Sequence, residues 1–255
     1  MIIIISPAKK LDFHKEVLAD VKYTTPRFLD RSDRLIKELR KLSPKDISVL
    51  MNVSEDIANL TFERHSKWKT PFDSGNAKPA LFAFQGDVYR SMDAKSFSGK
   101  DLDYAQDHLR IMSGLYGVLR PLDLIQPYRL EMGIKLRLPG KKDLYGYWTE
   151  TITTAINEEL KKQNEKVLIN LASQEYFKAV DTHNLDGEVI TPVFKEFKDD
   201  KFKVVGILAK KARGLMSRFI IRNKPEKAEE IKHFESEGYH YDDNLSSGNE
   251  WVFTR

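Results

Sequence analysis

DYAQDHLRIMSGLYGVLRPLDLIQPYRLEMGIKLRL, residues 103–138, carries three signals in succession. Ala105, Leu109 and Met112 recur at i, i+4 and i+7, the spacing of one apolar face of a helix. Ser113-Gly114-Leu115-Tyr116-Gly117 ends that helix with two glycines three apart, residues that supply positive φ or let another backbone come close. From Tyr128 the period drops to two. Tyr128, Leu130, Met132, Ile134, Leu136 and Leu138 alternate with Arg129, Glu131, Gly133, Lys135 and Arg137, which predicts a half-buried strand. A rigid elbow, Leu119-Arg120-Pro121-Leu122-Asp123, separates the two patterns, with Pro127 ahead of the strand.

Outward from this stretch, strands and helices alternate. Ile2 to Ile5 has no polar alternation and reads as a strand buried on both faces. Residues 11–28 show no clear period. A helical block over about 30–70 follows, either a small lobe or an insertion. Ser32 is a candidate cap for Leu35, Ile36, Leu39 and Leu42. Ser43-Pro44 is an N-cap followed by proline at the first helical position, and Ser54 starts another helix. Trp148, Ile152, Ala155, Ile156 and Leu160 share a helical face. Val167 to Leu171 is a strand, and Val189 to Phe197 with Phe202 to Leu208 reads as a hairpin. Lys210 to Asn223 is a basic helix and Lys227 to Phe234 another. Tyr239 to Tyr241 and Trp251 to Phe253 are positioned to close the sheet. The pattern is α/β, in a single domain over 1–255.

Composition removes several functions. The 255 residues are 41% hydrophobic and 31% charged, an ordinary globular balance. No apolar run approaches the roughly 20 residues that span a bilayer. The opening MIIII lacks a basic start and a cleavage site, so no membrane partner and a cytoplasmic location are expected. The absence of cysteine excludes disulfides, a thiol peroxidase and thiolate-held iron–sulfur clusters. Net charge is +4, but its distribution is uneven: Lys201 to Pro225 holds eight Lys/Arg and no acid, and Glu226 to Glu250 holds eight acids and two lysines. A basic face beside an acidic one suits a polyanion partner.

Three loops share a layout, a buried strand running into a turn that carries polar groups: Ser6 to Lys9, Asn170 to Lys178, and Lys210 to Arg218. In α/β sheets ligands collect at the carboxyl ends of strands. Side by side, these loops would form one pocket with Lys9, Lys178, Lys210 and Arg213 as cations, Ser6 and Ser173 as hydroxyls, and Glu175 and Tyr176 as titratable groups. Arg129 and Glu131 would line its wall. Such a set suits phosphate or carboxylate; the competing reading is of serine caps and solvated lysines. The Gly114/Gly117 turn is close to a helix-hairpin-helix, whose turn N–H groups take a DNA phosphate, with Arg110 and Arg120 flanking it. Two glycines at a helix C-terminus are, however, more often simply a cap. Lys210, Arg213, Arg218 and Arg222 share the polar side of the basic helix with no acid inside it, as phosphate binding uses. HExxH, GxGxxG, GxxxxGK[ST] and GxSxG are all absent, and no histidine spacing suggests a metal, so neither metal nor cofactor is expected.

Five blocks resemble a known family. They are Ile2 to Asp12, Gln85 to Tyr89, SGLYGVLRPLDLIQPYRLEMG at 113–133, Asn170 to Lys178, and Ala209 to Ile220. From end to end the chain resembles the YaaA family of bacterial peroxide-stress proteins. The resemblance implies a cytoplasmic protein of the oxidative-stress response that limits intracellular iron and so Fenton damage to DNA. It implies an unusual α/β fold, a mixed central β-sheet surrounded by helices, with a basic cleft and a helix-hairpin-helix element. It also implies binding of duplex DNA. Lys9, Arg110, Arg120, Arg129, Lys178, Lys210, Arg213 and Arg218 are then the expected phosphate contacts, with Gly114 and Gly117 placing backbone donors, and a monomer is the expected state. The alternative is an enzyme of unrecognised class acting on a small anionic ligand in the strand-end pocket. Asp87, Tyr89, Glu175 and Tyr176 are its acid/base candidates.

Overall fold

The computed structural model describes residues 1–14 and 22–255, so part of the irregular stretch expected over 11–28 lies outside the described residues. In chain order the elements are β1 (Ile2–Ile5), β2 (Lys10–Leu11), α1 (Leu29–Leu39), α2 (Pro44–Met51), α3 (Glu55–Lys67), β3 (Lys78–Pro79), α4 (Ala80–Ala83), β4 (Phe84–Gln85) and α5 (Asp87–Met92). Then come α6 (Gly99–His108), β5 (Leu109–Ser113), β6 (Gly117–Leu119), β7 (Leu124–Ile125), α7 (Leu144–Leu160), β8 (Val167–Leu171) and α8 (Gln174–Phe177). The chain ends with β9 (Glu188–Lys198), β10 (Lys201–Lys203), α9 (Gly206–Asn223), β11 (His240–Tyr241) and β12 (Glu250–Thr254).

Four consecutive isoleucines make β1 a strand with two buried faces, and it lies inside the main sheet. That sheet has eight strands, in the order β11-β12-β9-β8-β1-β5-β6, with β10 pairing β9 alone. β1 runs parallel to β5 and β8, and β9 runs parallel to β8 and β12. β6, β10 and β11 are antiparallel to their partners, so the sheet is mixed. Helices cover it, and Leu35, Ile36, Leu39, Ile47 and Ala58 of α1 to α3 join the same buried cluster as the sheet. No helix among the described residues is long and apolar enough to cross a membrane.

Residues 103–138 fold differently from their periodicity. The helix stops at His108, and Leu109, Ile111 and Met112 enter a strand paired with β1 in the register Ile3↔Leu109 and Ile5↔Ile111. A short apolar run fits helix and buried strand alike, and the neighbouring isoleucine strand decides between them. The glycine turn therefore joins β5 to β6, with Ser113 opposite Gly117, and forms a β-hairpin instead of the expected helix-hairpin-helix. Ser113 Oγ accepts from Leu115 N–H at 3.2 Å and Tyr116 N–H at 3.0 Å, which satisfies the tight turn. Gly117 sits at φ +72°, and a Cβ on Gly114 would lie 2.3 Å from the carbonyl oxygen of Leu130.

That close approach explains the second difference. From Tyr128 to Glu131 the chain packs across the hairpin, and Glu131 to Ile134 then form a turn closed by Ile134 N–H to the Glu131 carbonyl at 3.2 Å. Tyr128, Leu130, Met132 and Leu136 are buried as the alternation requires. Yet this segment joins none of the strands, and its one β-bridge is Leu138 to Lys141. Burial at alternate positions needs no ladder partner, and here it continues across a turn. Smaller differences concern local signals. Ser32 lies inside α1 and donates to the carbonyl of Phe28 at 3.2 Å. The hairpin strand ends at Lys203, because Gly206 already begins α9. Residues Ala228–His233 are a 3-10 helix. Ser43 does form its capping box with Asp46.

Candidate functional site

β1 and β8 are adjacent and parallel, so the turns that leave their carboxyl ends meet. Ser6 Oγ accepts from the backbone N–H of Ser173 at 2.8 Å, and the two serine hydroxyls lie 3.2 Å apart. Tyr89 of α5 donates its hydroxyl to the carbonyl of Ser6 at 2.9 Å. α9 reaches the same place because Gly214 lets it press onto α5: a Cβ there would lie 2.2 Å from the carbonyl oxygen of Val88. These contacts enclose a cavity of about 520 Å³ at the carboxyl edge of the sheet.

Each wall carries charge. α9 contributes Lys210, which is exposed, and Arg213, which is partly buried. Among the described residues Arg213 has no carboxylate partner, and burial lowers its pKa from the ordinary arginine value. Its guanidinium nevertheless stays protonated, so it is a desolvated cation without compensation. The segment from Tyr128 contributes Arg129 and Glu131, paired at 2.8 Å, and Lys9 Nζ lies 3.5 Å from the same carboxylate. Arg129 Nε and Glu131 Oε2 are both buried without a hydrogen-bond partner. α8 contributes Glu175, whose carboxylate accepts from Gly133 N–H at 2.9 Å, and Tyr176. Asp87 opens α5 and pairs with Arg90. Burial raises the pKa of Tyr89, Tyr128 and Tyr176, so these hydroxyls stay protonated at neutral pH. Lys10 and Gln85 also line the cavity. Neither was expected there, although both lie in blocks that carry the family resemblance. In all, Lys9, Lys10, Arg129, Lys210 and Arg213 face Asp87, Glu131 and Glu175, which leaves the lining positive.

A family model described as peroxide stress protein YaaA matches residues 1–245. The chain belongs to this family. A UPF0246 protein of Saccharophagus degradans is 51% identical over 255 residues, covering 100% of this chain and 99% of that protein. Membership assigns the protein a role in the oxidative stress response. All five blocks that resemble the YaaA family supply walls of the cavity, the one at 113–133 through Tyr128 to Glu131.

The remaining expected contacts lie elsewhere. Arg110 is 5% exposed; its guanidinium donates to the carbonyls of Gln106 and Leu109 at 2.8 and 2.7 Å and pairs with Glu159 at 3.1 Å. Arg120 pairs with buried Asp123 at 2.8 Å and donates to the carbonyl of Thr25. Arg218 donates to the carbonyl of Met92 at 3.0 Å, to the Asp93 carboxylate and to Ser96 Oγ. These arginines are held within the chain: the acids that the basic helix lacks are supplied by other elements. Lys178 is exposed and stands 5.1 Å over the Tyr145 ring, outside the cavity lining. Gly114 and Gly117 are required by close packing against Leu130 and Trp148. A smaller cavity of about 200 Å³ lies between Arg27, Arg110, Arg120 and Glu159, whose charges are already paired.

Proposed function

We propose that the protein serves the peroxide-stress response by binding duplex DNA, largely without sequence preference, at the cation rim of the carboxyl-edge cavity. Occupancy there would help to limit iron-driven damage to DNA. The observation that carries this reading is Arg213, a partly buried cation with no partner among the described residues. Exposed Lys9, Lys10 and Lys210 line the same cavity. A phosphate brought to that rim supplies the missing counter-charge, and phosphate contacts are blind to sequence. The phosphate set is therefore Lys9, Lys10, Lys210 and Arg213, without Arg110, Arg120 and Arg218. Fluorescence anisotropy of a labelled duplex across a salt series tests it. The slope of log affinity against log salt should become shallower by about 0.9 in Arg213→Ala, the loss of one phosphate contact. An unchanged slope would remove the arginine from the interface.

A second reading has its own observation. Asp87, Glu131 and Glu175 line the cavity beside the cations, and carboxylates do nothing for phosphate affinity. A volume of about 520 Å³ also falls in the range of small-ligand sites. On this reading the protein is an enzyme acting on a small anionic ligand. Arg213 and Lys210 would clamp the anion, and Glu175 would hold or move a proton. Glu175→Gln should then abolish peroxide protection in cells while leaving the DNA salt slope intact. Full protection by that variant would end the reading.

A further inference from the structure

Most charges that line the carboxyl-edge cavity cancel against a neighbour. Glu131 is held by Arg129 and Lys9, and Asp87 by Arg90. Two side chains of opposite sign are left over. Arg213 has no ion pair among the described residues; burial lowers its pKa and no carboxylate raises it. Glu175 has no cation partner among them either. Its carboxylate accepts through Oε1 from Gly133 N–H at 2.9 Å, and Lys178, three residues on, stands over the Tyr145 ring at 5.1 Å instead. Both Arg213 and Glu175 line the cavity.

Opposite charges that can meet in a partly desolvated cavity attract strongly and pair. Here each is anchored on its own element. Glu175 stands on α8, in the turn that leaves β8, and the Gly133 N–H fixes its carboxylate. Arg213 stands in the middle of α9, which Gly214 lets press onto α5. The rest of the lining includes apolar side chains, Val88, Leu130 and Leu171, and the ring of Tyr128, whose hydroxyl is taken by Ser113 Oγ at 2.7 Å. A bare phosphate or carboxylate would answer Arg213 and Lys210 but would bring Glu175 a like charge. A bare amine meets the reverse difficulty.

We propose that this cavity takes a small dipolar ion: a phosphate or carboxylate against Arg213 and Lys210, a protonated amine against Glu175, and a short aliphatic spacer over the apolar lining. The guanidinium offers a planar fork of donors that suits either anion. Glu175 keeps Oε2 free for the amine, because Gly133 engages Oε1. Each end of such a ligand supplies the counter-charge that one wall lacks, so it is held against both walls at once. This inference rests on the small-ligand reading above and names the class of ligand.

The test is isothermal titration calorimetry of the full chain at low salt with three series of probes. They are aminoalkyl phosphates of graded chain length, the alkyl phosphates that lack the amine, and the alkylamines that lack the phosphate. At the length that reaches both side chains, the aminoalkyl phosphate should bind about tenfold more tightly than its alkyl phosphate, since a hydrogen bond to a charged group contributes on that scale. Glu175→Gln keeps an oxygen for the Gly133 N–H and should bring that ratio down to about one. Glu175→Lys should invert it. Arg213→Ala should weaken both phosphates by about tenfold. Circular dichroism checks that each variant is folded. The same advantage for ω-amino carboxylates over alkanoates supports the inference with carboxylate as the anionic end. Equal affinity for aminoalkyl and alkyl phosphates at every length, with no such advantage for the carboxylates, overturns the dipolar ligand while leaving the small-anion reading intact. So does an advantage that survives in Glu175→Gln. Failure of every probe to bind overturns both.

Discussion

Arg110 and Arg213 are the same residue type, both expected to hold phosphate, and the fold treats them in opposite ways. Arg110 sits at the β5 corner with three backbone carbonyls and Glu159 around it. Arg213 lines the carboxyl-edge cavity with no carboxylate partner among the described residues. At the corner, charge is spent on holding α6, β5 and α7 together. At the edge, the chain keeps a desolvated charge uncompensated, which is unfavourable unless something else supplies the anion. The lesson is that a cation's function is read from its partners and not from its place in a basic run.

The largest expected effect tests the corner. Arg110→Ala leaves the Glu159 carboxylate without its buried partner and three carbonyls without a donor, and should lower unfolding free energy by about 3–5 kcal/mol. Urea unfolding measures it, and a change below about 1 kcal/mol would show that the arginine is dispensable to the fold.

Next comes the support of the cavity wall. His65 is 1% exposed and its Nε2 lies 3.2 Å from the carbonyl of Arg129. Burial holds its pKa down at about 4 against the ordinary 6.5. The unfolded chain takes up a proton near pH 6.5, while the folded ring stays neutral to about pH 4, so the stability present above 6.5 is lost as pH falls towards 4. The loss should reach about 3 kcal/mol. Urea midpoints between these pH values should fall steeply in the wild type and much less in His65→Gln. Parallel profiles would sink the assignment.

Gly114→Ala comes third. Its methyl group would meet the Leu130 carbonyl at 2.3 Å, so the 128–138 segment must lift from the hairpin, at about 1–3 kcal/mol. A melting temperature equal to wild type would mean that the segment moves freely. The smallest stability effect belongs to the edge. Arg213→Ala removes an uncompensated, desolvated charge and so should raise stability, by about 1 kcal/mol or less. A large loss would place Arg213 with Arg110 and erase the contrast between corner and edge.

Much of the candidate site was legible before the fold was known. Ser6, Lys9, Ser173, Glu175, Tyr176, Lys210 and Arg213 were grouped from the turns expected after buried strands, and Arg129 and Glu131 from the polar face of the central segment; all of these line one cavity, while Lys178 of the same group lies outside it. The grouping works because parallel strands of a sheet deliver their following turns to one edge. Arg120 and Arg218 could not be sorted in this way. For Arg218 the acid, Asp93, is 125 residues away in sequence; Arg120 pairs with Asp123 only three residues on, but strand-end position says nothing of that pair. The hairpin of residues 109–119 was equally hidden, because LRIMS suits a helix or a buried strand until β1 is beside it.

By itself the sequence determined the buried strands β1 and β8, most helices, the Ser43 cap, the lack of thiol chemistry and the family. These depend on backbone preference and side-chain period, which act over a few residues. Only the tertiary structure decided which arginines remain available, that two glycines serve packing, and that Glu175 and Arg213 line one cavity without pairing. Those outcomes depend on which groups arrive beside one another across the chain, and burial and pairing, unlike propensity, have no local signature.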